Sequence, residues 1–115
     1  MAFSKEHLRD IESSLMICLT MRRPPEEIRD KLDLGYTIKG QDIFLEEIRP
    51  IWNNPSESRR YPFTKVKFAK TSDLWKIYWM RGNLKWYAYD PKPVVDKLEL
   101  ALEEIMRDPH LCFFG

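Results

Sequence analysis

The chain has 115 residues, of which 43% are hydrophobic and 32% are charged, and its formal net charge is +1. This length fits one domain over residues 1–115 and leaves no room for a second catalytic domain. The charge balance excludes both a polybasic tail protein and an acidic disordered chain. The aromatic content of 13%, with four Trp, stands out from this average composition.

The N-terminal segment predicts an amphipathic helix over residues 4–21, with Ser4 as its N-cap and apolar residues at three- and four-residue spacing. Two prolines end this helix, and a short second helix is predicted over residues 25–32. From residue 34 the apolar period changes to two, which indicates a hairpin over residues 34–48.

The polar residues 53–60 predict an exposed loop between two parts of one sheet. Three further strands are predicted over residues 64–70, 74–80 and 85–89. Their short connections indicate an antiparallel meander. The sheet therefore has five predicted strands.

The last predicted element is a helix over residues 94–107, ended by an Asp-Pro pair. The apolar tail, residues 111–115, is predicted to pack back on the domain. The fold class is α+β: an N-terminal helix, a five-stranded antiparallel sheet and a C-terminal helix, with both helices on one sheet face.

Residues that carry common catalytic or metal chemistry are scarce. Four glycines build no glycine-rich phosphate loop, and two histidines with two separated cysteines offer few zinc ligands. The chain also has no GxSxG nucleophile elbow. We therefore expect no bound metal and no cofactor, and a binding protein is favoured over an enzyme.

Targeting signals are also absent from the sequence. No apolar run approaches the roughly 20 residues of a membrane helix, and the first residues lack the basic start and apolar core of a signal peptide. Cys18 and Cys112 lie far apart and are expected to be free thiols in a reducing compartment. These features predict a cytoplasmic protein without a membrane partner.

Charge is unevenly distributed along the chain. Residues 59–89 hold eight basic residues and one acid, a net charge of +7, whereas the rest of the chain carries −6. Six of the fifteen aromatic residues lie in residues 75–89. Strand alternation places Lys76 and Tyr78 on the face opposite the core. A basic sheet with exposed rings can neutralise phosphates and stack bases.

This pattern predicts a surface for an anionic partner, of which single-stranded nucleic acid is the most concrete candidate. The predicted contact residues are Arg59, Arg60, Lys76, Tyr78, Lys85, Tyr87 and Tyr89. A purely structural interpretation stands beside it. Lysines on a solvent-facing strand protect against aggregation, and Trp and Tyr favour strands because they pack well there.

Two carboxylates and an arginine, Glu46, Glu47 and Arg49, form a second cluster. Adjacent strand residues point to opposite faces, so the two carboxylates cannot share one site without a bulge. A structural ion pair of Glu47 is favoured. Its candidate partners are Arg22, Arg23, Arg29 and Arg49.

Two other functions remain open at this point. One is a small metal-assisted hydrolase or nuclease in which Glu47 acts with Lys76 or Lys85. The other is a protein interaction module or homodimer that buries the Trp-rich strands or the tail residues Phe113 and Phe114.

Several short motifs are distinctive in combination. They are Arg-Arg-Pro-Pro at residues 22–25, Ile-Arg-Asp-Lys-Leu at 28–32, Glu-Ile-Arg-Pro-Ile-Trp at 47–52, Trp-Lys-Ile-Tyr-Trp at 75–79, Leu-Lys-Trp at 84–86, and the Asp-Pro to Cys-Phe-Phe-Gly ending at 108–115. Together they resemble a bacterial family called domain of unknown function 3024, over nearly the whole chain. The resemblance implies a small bacterial protein and no particular activity. Such proteins often have His where this chain has Tyr87, which counts against a general base there.

Overall fold

Two helices and six strands are found in residues 3–114, the part of the chain that the computed structural model describes. In chain order they are α1 (Lys5–Thr20), β1 (Asp33–Lys39), β2 (Asp42–Ile51), β3 (Asn54–Ala69), β4 (Leu74–Met80), β5 (Trp86–Ala88), β6 (Val94–Val95) and α2 (Leu98–Arg107). A single 3₁₀ turn, Glu26–Ile28, takes the place of the predicted second helix. Neither helix in residues 3–114 is long and apolar enough to cross a membrane.

Helix α1 begins at the predicted cap. The Ser4 hydroxyl accepts a hydrogen bond from the backbone N–H of His7 at 3.1 Å, which satisfies one of the free donors of the first turn. The buried residues Ile11, Leu15 and Cys18 follow at spacings of four and three, so one side of the helix faces the core.

The strands form one antiparallel sheet in the order β1-β2-β3-β4-β5, and β6 adds to β4 beside β5. The meander that the sequence predicts is confirmed, and β6 is an addition to it. The predicted loop over residues 53–60 is wrong, because β3 begins at Asn54 and pairs with β2 through Ser58 and Arg59. This extension projects beyond β1, and its side chains on both faces are largely exposed.

The C-terminal helix starts later than predicted. Val95 pairs with Trp75 in the sheet, and the helix begins only at Leu98. At the other end Asp108 adopts the left-handed conformation, and its carboxylate accepts hydrogen bonds from the backbone N–H groups of Phe113 and Phe114 at 3.0 and 2.8 Å. These bonds hold the apolar tail against the domain, as its composition predicts. Residue 115 lies outside the described residues.

Both helices pack on one face of the sheet, as predicted, and bury a single core. Its fully buried side chains include Leu15, Leu45, Val66, Ile77 and Ile105. We call this side of the sheet the covered face and the other side the open face. Because strand side chains alternate, each strand contributes to both faces.

Candidate anion-binding surface

The register of β3 and β4 determines which side chains lie on the open face. In β4, Lys76 and Tyr78 flank the core residue Ile77 and therefore point away from it. Lys67 of β3 lies directly opposite Lys76, and Lys65 lies directly opposite Tyr78. Directly opposite residues of an antiparallel ladder share a face, so these four side chains lie together on the open face.

A lysine among three rings forms the centre of this surface. The Lys65 ammonium lies 5.1 Å from the centroid of the Tyr78 ring and 5.9 Å from that of Trp86. Phe44 lies opposite Lys65 on β2, with its ring centroid 6.0 Å from that of Trp86. We call Phe44, Lys65, Tyr78 and Trp86 the Lys65 cluster. All four are half-buried, and cation–π attraction of about 0.5–1 kcal/mol per contact holds the ammonium near the rings.

Two exposed lysines adjoin the Lys65 cluster. Lys67 and Lys76 face each other across β3 and β4, a pairing that destabilises a sheet by up to about 1 kcal/mol. Asp42 lies opposite Lys67 on β2, so one carboxylate is nearby. Its Oδ1 atom is buried without a hydrogen-bond partner among the described residues. A bound anion between the two lysines would relieve their repulsion.

Arg60, one of the predicted contacts, has an internal partner instead. Its Nη1 atom lies 2.9 Å from Oε1 of Glu46, which is only 8% exposed and also accepts a hydrogen bond from Thr37 at 2.8 Å. Gly35 leaves room for this guanidinium, since a Cβ atom there would lie 3.2 Å from Nη1. Arg60 therefore belongs to a strand and neutralises a buried carboxylate.

Arg59 is exposed but lies on the other side of the sheet. It sits opposite Arg49 in the extension of β2 and β3. Glu47 is paired with the core residue Leu34, so it lies on the covered-face side. Arg49, two residues further along β2, points to the same side, and so does its partner Arg59. Arg59 therefore adds no charge to the open face.

Tyr87 and Tyr89 are also placed differently from the prediction. Tyr89 is 0% exposed, and its hydroxyl donates a 2.7 Å hydrogen bond to Oε2 of Glu104 in α2. Burial and this hydrogen bond raise the pKa of Tyr89. Tyr87 lies opposite Trp79 on the covered-face side, and the Arg81 guanidinium stacks 4.8 Å from its ring centroid. Neither ring is available on the open face.

Lys85 is exposed in the turn before β5, where its backbone N–H donates to the side chain of Asn83. The turn sets the register in which Trp86, and not Tyr87, falls beside Met80 on the open face. The sequence fixes the alternation within β5 but not its register against β4. Alternation alone therefore does not show whether Trp86 or Tyr87 lies on the open face.

The carboxylate cluster divides as strand alternation predicts. Glu46 lies opposite Gly35 and Glu47 lies opposite Leu34, so the two point to opposite faces. Glu47 contacts Arg49, with an oxygen-to-nitrogen distance of 3.3 Å. The better buried carboxylate and the shorter ion pair belong to Glu46, not to Glu47 as the sequence predicts.

The other arginines considered for Glu47 have different partners. Arg22 donates to the backbone carbonyl of Met106, Arg29 donates to that of Pro24, and Arg23 forms two hydrogen bonds with Asp33 at 2.7 and 2.8 Å. These contacts fasten the segment between α1 and β1.

The hydrolase hypothesis requires Glu47 and a sheet lysine at one site. Glu47 lies on the covered-face side, whereas Lys76 lies on the open face, so the sheet separates them. Within residues 3–114, no three His, Cys, Asp or Glu side chains come together as a metal site. Glu47 and Lys76 therefore cannot act on one substrate atom in this fold, and Lys85 precedes β5, which β3 and β4 separate from β2.

An α+β domain with one face covered by helices and one open, basic and aromatic face is the class that the structure defines. The family model of domain of unknown function 3024 matches residues 3–115, essentially the whole chain, and the protein belongs to this family. Comparison with curated proteins and with solved structures gives no match.

Proposed function

We propose that this protein binds an anionic partner through the open face of its sheet, with single-stranded nucleic acid as the most concrete candidate, and that it is not an enzyme. The observation that carries the proposal is the Lys65 cluster beside the Lys67 and Lys76 pair, on the sheet face that neither helix of residues 3–114 covers. Rings for stacking and amines for phosphates within one face are the combination that single-strand binders use. The cytoplasmic location predicted from the sequence fits such a partner.

The two parts of the surface have different roles in this proposal. Trp86 and Tyr78 present half-buried rings on which bases stack, each worth about 1–3 kcal/mol. Lys67 and Lys76 neutralise phosphates, and the anion in turn relieves the repulsion between them. Lys65 orders the rings and contributes a third positive charge.

The salt dependence of binding tests the proposed contacts between lysines and phosphates. Binding of a fluorescently labelled single-stranded oligonucleotide is measured by anisotropy at two salt concentrations. Three lysine–phosphate contacts predict a slope of log K against log salt near about −2, or roughly 20-fold weaker binding from about 50 to 200 mM salt. The double variant Lys67→Ala, Lys76→Ala loses about 1.4 units of this slope.

Lys31→Ala is the matched control, because Lys31 is exposed in the segment before β1, outside the sheet. It should bind like the unmodified protein. Absence of binding at both salt concentrations, or an affinity that is indifferent to salt, overturns the proposal.

A pair of tryptophan variants tests the proposed stacking of bases on the open face. Trp86→Ala should weaken binding by about 5- to 150-fold, the equivalent of one lost stacked base. Trp52→Ala is the control, since Trp52 is 90% exposed at the tip of the β2–β3 extension, about 26 Å along β2 from Phe44. Equal losses in both variants would assign the binding to exposed rings in general and contradict the open face as the site.

A further inference from the structure

Strand β1 forms a long outer edge of the sheet. It pairs with β2 on one side, and within residues 3–114 no strand pairs with its other side. It has seven residues and an unbroken ladder with β2, whereas β5 and β6 have three and two residues. Natural edges of this length are usually protected by proline, a bulge or a charge in mid-strand. β1 has none of these, because its two charged residues, Asp33 and Lys39, are its first and last. Two of its backbone groups have side-chain partners: the Leu34 N–H donates to Oδ1 of Asp33 at 2.8 Å, and the Tyr36 carbonyl accepts from Nη1 of Arg60 at 3.4 Å.

The sequence of β1 is complementary to itself in one orientation. In an antiparallel pair of two copies centred on Tyr36, Asp33 of each copy lies opposite Lys39 of the other, and Leu34 lies opposite Ile38. A parallel in-register pair would instead place like charges side by side. Asp33 already accepts two hydrogen bonds from Arg23 of its own chain, so Lys39 of the second copy joins an existing ion pair.

A groove between β1 and α1 adjoins this edge on the covered face. A cavity of about 310 Å³ is lined in part by Glu12, Tyr36 and Ile38, and a second cavity of about 460 Å³ is lined in part by Met16 and Tyr36. Tyr36 borders both cavities. Met16, on the side of α1 that faces the groove, is 57% exposed.

From the unpaired edge, the charge complementarity and the adjoining groove, we infer that the protein forms a twofold symmetric homodimer in which the β1 strands of two copies pair antiparallel about Tyr36. The backbone groups of the two edges hydrogen-bond to each other, as in other cases of strand addition. Because directly opposite residues share a face, the open faces of the two copies lie on the same side of the joined sheet.

Two measurements without nucleic acid test this dimer. Light scattering after size exclusion should give twice the mass of one chain, falling towards the single-chain mass on dilution. In a Cys112→Ser background, Tyr36→Cys should cross-link under mild oxidation, because opposite Cα atoms about 4.5–5.5 Å apart suit a disulfide.

Lys39→Cys in the same background is the register control. Its two copies would lie about 20 Å apart, so it should not cross-link. Circular dichroism shows whether Tyr36→Cys folds. If it does not, Lys39→Glu places like charges opposite each other and should raise the dimer dissociation constant about tenfold, whereas Lys31→Glu should not.

A single-chain mass at every concentration overturns the dimer, and equal cross-linking of both cysteine variants overturns the register. Both outcomes leave the proposal of anion binding intact, because that proposal rests on β3, β4 and β5 and is measured with the oligonucleotide.

Discussion

The two faces of the sheet are made by the same strands but differ in burial and in charge. On the covered face Ile77 is fully buried, and the polar group Tyr89 is paired with Glu104. One residue away on the open face, Lys76 is exposed and lies opposite a second lysine. The covered face therefore carries the stability of the domain. The open face is free to concentrate charge and rings that folding does not require.

The sharpest stability contrast is between neighbouring residues of β4. Ile77→Ala removes a fully buried side chain and should lower the free energy of unfolding by about 2–5 kcal/mol. Lys76→Ala should change it by less than about 0.5 kcal/mol, since it removes an exposed charge that faces Lys67. Urea unfolding followed by circular dichroism measures both. Similar losses would mean that the two faces do not differ in stability.

A second contrast compares two tyrosine hydroxyls. Tyr89→Phe leaves the buried Glu104 without its 2.7 Å donor and should cost about 1–3 kcal/mol of unfolding free energy. Lys92 stays near Glu104 in this variant, with its Nζ atom 3.8 Å from Oε1. Tyr78→Phe, on the open face, should be nearly neutral in the same urea experiment. A neutral Tyr89→Phe would show that the buried pair adds nothing to the fold.

The smallest expected effect concerns pH at the sheet edge. The hydrogen bonds from Arg23 lower the pKa of Asp33 below its ordinary value of 3.8. A lowered carboxyl pKa contributes stability above about pH 4, which is lost as the pH falls through the folded-state pKa. Because Asp33→Asn removes this group, its unfolding free energy should fall less steeply below about pH 4 than that of the unmodified protein.

Asp30→Asn, which changes an exposed carboxylate in the same segment, serves as the control for this pH series. Urea midpoints between about pH 2.5 and 7 provide the comparison. Identical acid profiles for Asp33→Asn and the unmodified protein would contradict a stabilising Arg23–Asp33 pair.

The sequence predicted those helices and strands in which buried residues recur at a regular spacing. Helix α1 has its cap and apolar spacing, and β4 alternates core and solvent residues, so both were located correctly. Residues 54–60 are strand without any such pattern, because both faces of this extension are exposed and the backbone ladder alone defines it. Val94 and Val95 resemble the start of a helix because a two-residue strand is too short to show alternation.

The candidate surface was predictable only within single strands. Alternation located Lys76 and Tyr78 correctly relative to their own strand. The contribution of Trp86 depends on the register set by the turn before β5, which leaves no periodic trace in the sequence. Phe44 lies between the core residues Ile43 and Leu45 in β2, so alternation places it on the open face. This alternation is visible in the sequence.

The most direct test of the open face uses the indole N–H signals of the four Trp residues in a ¹⁵N-correlated NMR spectrum. Trp86 lies on the open face, Trp75 and Trp79 lie on the covered side, and Trp52 is at the tip of the β2–β3 extension. Addition of a single-stranded oligonucleotide should shift the Trp86 signal and leave the Trp52 and Trp75 signals in place. A spectrum in which Trp86 does not move, or in which Trp52 alone moves, would contradict the open face as the binding surface.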